Sequence, residues 1–367
     1  MAPTHLLNEI RRQPEVLNSL YQRQEELQEL LQPTLARQGS SDIYAFGCGD
    51  SRVAAVSAET AFRRWAQIYF EALPSLEFLA YQVDNIQAAD IAIPISMSGN
   101  VDRTVAGMHA AQARGATAVA ITNSSTGQLA QGADVIFNLG IDEPASFLSS
   151  TVTYTATLLS LLLIARGISA QSKPVSDDGL LQTIESARQV VEISEAMAEE
   201  IAKSFHSAAT VYILGTGANL GTATHGAVKF AELADTLAIP QELEEFAHQQ
   251  FWILRPEDLV IILAESGGPL ELTRHFVETL SDYGTKVIVI SQDETLTRQA
   301  AVAIQLPPGE NAYWSPLVMC IPLQFLAYYW AIAKGLNPNT RAHLREDERR
   351  FTTSRKLTRR KLVGTGL

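Results

Sequence analysis

The fold of this chain is indicated most clearly by two stretches of sequence, IYAFGCGDS at residues 43–51 and IAIPISMSG at residues 91–99. Each begins with an apolar run of strand length and ends in a turn of small residues. Ser51, Ser96 and Ser98 therefore fall at predicted strand-to-helix turns. Such turns bind anions, because glycines leave backbone N–H groups accessible and the next helix directs its positive end at the ligand. An alternative is that these serines are ordinary helix N-caps, for which serine is a preferred residue.

The sequence contains this pattern twice. Gly47 recurs as Gly215, and Ser98-Gly99 recurs as Ser266-Gly267, in each case 168 residues later. Each copy reads as strand, glycine-rich turn, helix, strand, Ser-Gly turn, helix and strand. The predicted closing helices are apolar and cover residues 151–166 and 317–334. Strands that alternate with helices indicate a parallel sheet covered on both faces. We therefore predict an α/β fold of two duplicated domains, each a flavodoxin-like three-layer sandwich.

The duplication divides the chain into five predicted segments. They are an N-terminal helical segment at 1–40, a first domain at 41–171, a linker helix at 172–207, a second domain at 208–335 and a C-terminal tail at 336–367. Leucines at helical spacing support the first segment, and residues 179–204 read as the long linker helix.

The composition favours a soluble protein of the cytoplasm. The chain is 46% hydrophobic with a formal net charge of −12. Its longest apolar stretch, residues 158–165, is far shorter than the roughly 20 residues that span a bilayer, and the N-terminus lacks a signal-peptide pattern. Cys48 and Cys320 show no C-x-x-C spacing, so neither a disulfide framework nor a metal site is predicted. No cofactor is expected.

The C-terminal tail is basic, with nine Lys or Arg against three Asp or Glu after residue 340. It is either a solvated or subunit-crossing tail, a segment that helps to hold an anionic substrate, or a nucleic-acid-binding segment. The acidic body of the chain and the lack of interleaved aromatic residues disfavour the last of these. No nucleic-acid partner is therefore predicted.

A carboxylate and a histidine are candidates for proton transfer. Glu232 lies in the apolar helix at 227–234, where an acidic residue either faces solvent or is paired in a site. His248 follows sixteen residues later and, taken alone, would be a hydrogen-bonded loop residue. Glu244 or Glu245 either orients the imidazole or is simply exposed. Together with an anion-binding turn, such groups can move protons on a phosphorylated molecule.

The turn GTGANLG at residues 215–221 also suggests a dinucleotide site. The last glycine is one place late, however, and no acidic residue ends a convincing strand about twenty residues on, where Pro240-Gln241 stands. We expect this turn to pack the second copy or to contact substrate.

Five motifs in a fixed order carry a resemblance to a known family. They are EIRRQP at 9–14, CGDS at 48–51, ISMSG at 95–99, GAVKFAE at 226–232 and PLQFLAY at 322–328. Together with the spacing from Glu232 to His248, they make the chain resemble the sugar isomerase (SIS) domain proteins. The similarity is to the isomerase half of glucosamine-6-phosphate synthase, and it covers nearly the whole chain.

The resemblance implies roles for particular residues. Substrate or phosphate contacts are implied for Ser51, Ser96, Met97, Ser98, Ser149, Ser150 and Thr151. Glu232 matches the base that moves a proton between C1 and C2 of the sugar. His248 matches the ring-opening residue, which is supplied across the dimer interface in that family. Arg345 lies near the tail lysine that assists ring opening, after a one-residue gap behind Gly335.

Three features depart from the family pattern. His248 is followed by Gln249-Gln250 rather than Gly-Pro, and Asn100-Val101 stands where Glu-Thr is usual, which removes one hydroxyl group. No N-terminal glutaminase domain is present, so glutamine-dependent synthesis is not expected of this chain. These departures leave the identity of the sugar open.

The expected function is that of a phosphosugar-processing enzyme, an amino-sugar-phosphate deaminase/isomerase or deglycase. It is expected to be a homodimer with shared active sites, an expectation that also rests on the apolar closing helices. Simple aldose–ketose isomerisation is one alternative. A non-catalytic sugar-phosphate-binding regulator is another, which the presence of both Glu232 and His248 disfavours.

Overall fold

A computed structural model of the protein describes residues 4–35, 42–142, 149–169, 175–309, 312–340 and 342–358. Its core consists of two five-stranded sheets in which every strand pairing is parallel. Helices flank both sheets, which confirms the predicted α/β fold of two duplicated domains.

The two sheets have the same strand order. The first contains β1 (Ile43–Gly47), β2 (Phe70–Pro74), β3 (Ile91–Ile95), β4 (Thr117–Thr122) and β5 (Val135–Asn138), and the second β6 (Val211–Gly215), β7 (Ala238–Glu242), β8 (Leu259–Ala264), β9 (Lys286–Ser291) and β10 (Val302–Gln305). The orders are β2-β1-β3-β4-β5 and β7-β6-β8-β9-β10. This is the flavodoxin-like order, in which a ligand crevice lies where the chain reverses direction across the sheet.

Sixteen α-helical segments accompany the strands in the described residues. They are α1 (His5–Arg11), α2 (Gln13–Gln22), α3 (Gln24–Leu35), α4 (Asp50–Ala61), α5 (Ser75–Glu77), α6 (Asp102–Ala113), α7 (Gln128–Gly132), α8 (Val152–Ser169), α9 (Asp178–Phe205), α10 (Asn219–Ala234), α11 (Leu243–His248), α12 (Leu270–Asp282), α13 (Glu294–Gln299), α14 (Pro316–Ala333), α15 (Ala342–Arg345) and α16 (Glu348–Thr358). Short π-helical or 3₁₀ segments cover Phe62–Ala66, Phe78–Gln82, Val83–Asn85 and Gln250–Ile253.

The edge strands β2, β5, β7 and β10 are additions to the three strands predicted for each copy. Every residue of β7 is only half-buried, whereas β1, β3, β6 and β8 are buried throughout. An edge strand packs fewer apolar residues, so its sequence lacks the apolar run that identifies a central strand.

One of these strands corrects the sequence analysis at Pro240-Gln241. These residues lie within β7, which pairs with β6 and ends in Glu242. An edge position tolerates proline because one side of the strand donates to no neighbour. The Glu242 carboxylate accepts hydrogen bonds from the backbone N–H groups of Glu244 (2.8 Å) and Glu245 (3.0 Å), so it caps α11. Glu242, the acidic residue that ends this strand, is therefore already engaged in capping α11.

The closing helices α8 and α14 are apolar and 18 residues long, which in length and composition suffices to cross a membrane. Their 18-residue spans are 89% and 83% buried within the protein. Helices buried to this degree are core helices, although Ile332 of α14 is 48% exposed.

The described residues cluster into two compact units that cut across the sequence copies. One, the second-sheet unit, takes its residues from 1–15, 144–152 and 176–343, and the other, the first-sheet unit, from 16–143, 153–175 and 344–367. Helix α1 and the residues just before α8 therefore group with the second sheet.

Candidate functional site

The predicted anion-binding turns meet at one end of the first sheet. β1 and β3 are neighbours, and their last residues, Gly47 and Ile95, are paired in register. Ser51 lies in the first turn of α4, and Ser96 follows β3 directly. The carboxyl ends of two adjacent parallel strands at this switch point form the usual ligand crevice of such a fold.

Gly47 permits the close packing of this turn. A Cβ atom at Gly47 would lie 2.7 Å from the Ser51 Cβ and 2.9 Å from the Ile95 carbonyl oxygen. Both distances are shorter than carbon atoms tolerate, so any larger residue would displace Ser51 from the strand end.

The serines of these turns are not helix N-caps. The N-cap of α4 is Gly49 and that of α6 is Val101, and neither makes a side-chain capping bond. Ser96 is 2% exposed, and its Oγ has no hydrogen-bond partner in the described part of the chain. A buried hydroxyl without a partner is rare in folded proteins, so this one fits a ligand-binding role.

Asn100 holds the same turn in place. Its Nδ2 donates to the Ser98 carbonyl oxygen (2.8 Å), and its Oδ1 accepts from the backbone N–H of Gln128 (3.1 Å). The Ser98 side chain is exposed beside it, and its Oγ accepts from the Asn100 backbone N–H at 3.3 Å. Asn100, which stands where the family pattern has Glu, thus stabilises the turn through these hydrogen bonds. Val101, which stands where the pattern has Thr, provides no hydroxyl group.

The equivalent turn of the second sheet has different chemistry. Asn219, Ala264 and Glu265 stand 168 residues after Ser51, Ser96 and Met97. The Asn219 Nδ2 donates to Glu265 Oε2 (3.0 Å) and to Ser315 Oγ (2.8 Å). Burial raises the pKa of the Glu265 carboxyl above its usual value. An amide and a methyl group thus replace the hydroxyl groups of Ser51 and Ser96, and a carboxyl group replaces the thioether of Met97, so this second turn is poorly suited to an anion.

Because the pKa of Glu265 is raised, we predict that the effect of Glu265→Gln on folding stability depends on pH. The folded state holds this proton more tightly than the unfolded state, so its contribution to stability is greatest below the unfolded pKa and falls as pH rises towards the folded pKa. Relative to wild type, Glu265→Gln should therefore be more stable at pH 7 than at pH 4. Urea midpoints at both values measure this, with the exposed Glu271→Gln as the matched control. A stability difference from wild type that is the same at both pH values would contradict the prediction.

Glu232 lies in a hydrogen-bonded group within the second-sheet unit. Its Oε2 accepts from the Lys229 Nζ at 2.8 Å and from the Ser149 Oγ at 2.5 Å. The Lys229 Nζ also donates to the Ser149 Oγ at 2.7 Å. The Lys229 side chain is fully buried, whereas that of Glu232 is 34% exposed. The carboxylate is thus held on one side by a cation and a hydroxyl and remains accessible on the other.

Lys229 was not singled out by the sequence analysis, although it stands within the motif at 226–232. It lies three residues before Glu232 on α10, a spacing that places both side chains on one helix face. A lysine in an otherwise apolar helix three residues from an acidic residue is the signal that would have identified it.

His248 ends the short helix α11 and is exposed. Its ring makes no hydrogen bond to the described residues, and no contact joins it to Glu232 there. The Glu245 carboxylate accepts from Gln249 Nε2 at 2.6 Å, so it does not orient the imidazole. The side chains of Trp252 and Ile253, four and five residues later, are 78% and 62% exposed. The histidine therefore lies beside an exposed apolar surface.

The remaining predicted site residues have different outcomes. The Thr151 hydroxyl is buried and donates to the Glu9 carboxylate, and Ser150 is half-buried next to it. Arg345 is the last residue of α15, and its side chain lies outside the described residues. Among the residues that the structure describes, no three His, Cys, Asp or Glu side chains gather as a metal site.

Comparisons with known proteins agree with this architecture. The SIS domain family model matches the chain twice, at residues 37–166 and 204–334. The glutamine–fructose-6-phosphate aminotransferase [isomerizing] of Thermococcus kodakarensis is 25% identical over 343 residues, which are 92% of this chain and 56% of that protein. The chain thus spans about half the length of the curated relatives that it matches.

Solved structures show the same fold. The C-terminal domain of glucosamine-fructose-6-phosphate aminotransferase from Francisella tularensis aligns with a TM-score of 0.78 at 20% identity, covering 91% of this chain and 98% of that one. Glucosamine-6-phosphate deaminase from Thermotoga maritima aligns with a TM-score of 0.71 at 21% identity, covering 88% and 96%. The two family matches take in most of the sequence and one parallel sheet each, so this chain belongs to the SIS domain family and carries two copies of its domain.

Proposed function

We propose that this chain is a phosphosugar-processing enzyme that acts on an amino-sugar phosphate by ring opening and proton transfer between C1 and C2. The observation that carries the proposal is the Glu232 carboxylate, partly exposed and hydrogen-bonded to the buried Lys229 and to Ser149. The ammonium group stabilises the negative charge of the carboxylate, the form in which it can accept a proton. Membership of the SIS family and similarity to aminotransferases named for fructose-6-phosphate support the substrate class.

The chemistry needs only positioned acid and base groups. In the open-chain aldehyde of a 2-amino sugar, the carboxylate removes the C2 proton. The electron pair of the broken C2–H bond forms the C1–C2 double bond, while the carbonyl π electrons move to O1, which takes a proton from water, and the product is an enolamine. The carboxyl group then returns the proton to C1 as the nitrogen lone pair forms a C2–N double bond, and water hydrolyses this iminium group to the C2 ketone with release of ammonia. A ketose–aldose isomerisation would use the same proton transfer through an enediol.

The serine turn of the first sheet is proposed to hold the phosphate. Hydrogen bonds to a charged group contribute about 1.5–3 kcal/mol each, so Ser51, Ser96 and Ser98 would supply much of the affinity. The buried, partnerless Oγ of Ser96 supports this assignment.

We further propose that the enzyme is a cytoplasmic homodimer in which His248 acts on the site of the partner subunit. Support comes from the exposed His248 and from the exposed apolar residues Leu237, Trp252 and Ile253 of the same unit. Trp252 also lines an apolar cleft of about 340 Å³, together with residues that include Phe246, Phe251 and Phe276. Large apolar side chains clustered at a surface commonly mark an interface.

Mixing two inactive variants tests the shared site. In a 1:1 mixture of Glu232→Gln and His248→Ala chains that exchange freely, half of the dimers are mixed and each mixed dimer has one intact site. We therefore expect about a quarter of the wild-type activity. Each variant incubated alone at the same total concentration is the control. Activity no higher than the average of the two controls, or a monomer in ultracentrifugation that still turns over, would contradict the shared site.

The reaction class is tested with a panel of 6-phosphorylated sugars and amino sugars. Purified protein is incubated with each compound, and ammonia and the sugar product are measured separately. Ammonia release from an amino-sugar phosphate is expected. Isomerisation without ammonia would point to the simple isomerase, and tight binding with no product would point to a sugar-phosphate regulator.

A further inference from the structure

The buried carboxylate of Glu9 has no role in the chemistry above. Glu9 lies in α1 and is 4% exposed, and it accepts a hydrogen bond from the Thr151 hydroxyl, which is 0% exposed. Both residues belong to the second-sheet unit. Burying a carboxylate opposes folding, and an amide or apolar residue of similar size would fill the space at lower cost. The charge at this position therefore calls for a reason beyond packing.

Thr151 connects Glu9 to the candidate catalytic group. It stands two residues after Ser149, whose hydroxyl contacts both Lys229 and Glu232. These residues directly precede α8, so the position of the Ser149 hydroxyl depends on how this short turn is held. A hydrogen bond from Thr151 to a buried carboxylate helps to fix this turn.

A second buried contact from the N-terminal helices reaches the same face of α10. The Gln13 Nε2 donates to Gln324 Oε1 at 2.5 Å, so the Gln324 amide N–H faces His225 Nε2 at 3.0 Å. His225, Lys229 and Glu232 follow at the i, i+4 and i+7 spacing of one helix face. The Gln324 bond makes the His225 Nε2 an acceptor, which places its ring proton on Nδ1. Gln13 of α2 is thus linked to α10 through Gln324 of α14.

We propose that Glu9 is a positioning residue for the proton transfer at Glu232 and acts through Thr151 and Ser149. This inference rests on the proposed function. Helix α1 has other anchors, because the Leu6 N–H donates to Asn339 Oδ1 at 3.0 Å and Arg11 Nε donates to Glu195 at 2.8 Å. Loss of the Glu9 carboxylate should therefore leave α1 in place and loosen the segment at 149–151.

Kinetics of five variants test the inference. Glu9→Met removes the acceptor of the Thr151 hydroxyl and Thr151→Val removes the donor, so each should lower kcat about 10- to 100-fold with KM unchanged, because a small misplacement of reacting groups is costly. The double variant should lose no more than either single variant, since both changes remove the same hydrogen bond. Thr151→Ser restores the hydroxyl and should recover most of the kcat that Thr151→Val loses. The control is Glu15→Met, the same change at an exposed position of α2.

The inference is overturned if Glu9→Met keeps the kcat of Glu15→Met, or if the losses of the two single variants multiply in the double variant. If Glu9→Met does not fold, the recovery of kcat in Thr151→Ser relative to Thr151→Val decides the role of the contact.

Amide hydrogen exchange separates failure of this inference from failure of the proposed function. Exchange at residues 149–152 should be faster in Glu9→Met and Thr151→Val than in wild type and in Glu15→Met. Unchanged exchange there overturns the positioning role whatever the activity. Faster exchange in the variants of a protein that converts no phosphosugar would have a different meaning. It would show that the Glu9–Thr151 hydrogen bond stabilises residues 149–152, and it would refute only the proposed function.

Discussion

Glu232→Gln should lower turnover of the phosphosugar substrate about 10²–10⁴-fold, the usual contribution of general acid–base catalysis. Glutamine keeps the size of the side chain and can still accept from Lys229 Nζ and Ser149 Oγ, so the hydrogen-bonded group is preserved while the base is lost. Substrate affinity should barely change, because the proposed phosphate contacts do not involve Glu232. Steady-state kinetics and calorimetric binding of the same substrate measure both effects.

The control for this variant is Glu192→Gln, which makes the same change at an exposed position of α9. It should retain wild-type turnover. Near-normal turnover by Glu232→Gln would show that the base is misassigned, and the exposed carboxylates of Glu244 and Glu245 beside His248 would be tested next.

The second large effect is expected on the affinity for a phosphosugar. Ser96→Ala combined with Ser98→Ala removes two hydroxyl groups from the turn after β3, each contributing about 1.5–3 kcal/mol to a bound dianion. The affinity for a phosphosugar should therefore fall at least about 100-fold, since 1.4 kcal/mol corresponds to a factor of ten. Stability should fall little, because the Ser96 hydroxyl has no hydrogen-bond partner in the described part of the chain and the exposed Ser98 Oγ accepts from the Asn100 N–H at 3.3 Å.

Ser207→Ala, at an exposed turn of the other unit, is the matched control. Calorimetric titration with the phosphosugar and with its unphosphorylated analogue separates the contribution of the phosphate. Unchanged affinity in the double variant would remove the phosphate role from this turn. Competition by free phosphate and by sulfate would then show whether the turn binds another anion.

Much of the fold could be predicted because its central strands are buried on both faces. β1, β3, β4 and β9 coincide with apolar runs that the sequence shows directly, and the repeated glycine and serine positions reveal the duplication. The edge strands lack such runs. β7 is half-buried throughout and contains a proline, β5 and β10 each have only one buried residue, and β2 is interrupted by Glu71 and ends in Pro74. The N-terminal leucine pattern predicted a helix, and the structure divides that region into α1, α2 and α3.

Part of the candidate site could likewise be predicted from the sequence, and part could not. Glu232 and the serine turns could be selected from local sequence, because each depends on its own motif. Lys229 and Glu9 acquire their significance from partners 80 and 142 residues away, Ser149 and Thr151, and no local pattern indicates such contacts. The acceptor of the Thr151 hydroxyl could not be read from the sequence for the same reason.

The central claim is that Glu232 moves a proton between C1 and C2 of a phosphosugar. The most direct measurement is NMR detection of deuterium at C1 or C2 when the wild-type protein and Glu232→Gln are each incubated in D₂O with glucosamine-6-phosphate or fructose-6-phosphate. The account predicts incorporation by wild type, falling in Glu232→Gln together with turnover. Binding of the sugar by wild type without deuterium at either carbon and without product, or equal incorporation by the two proteins, would contradict it.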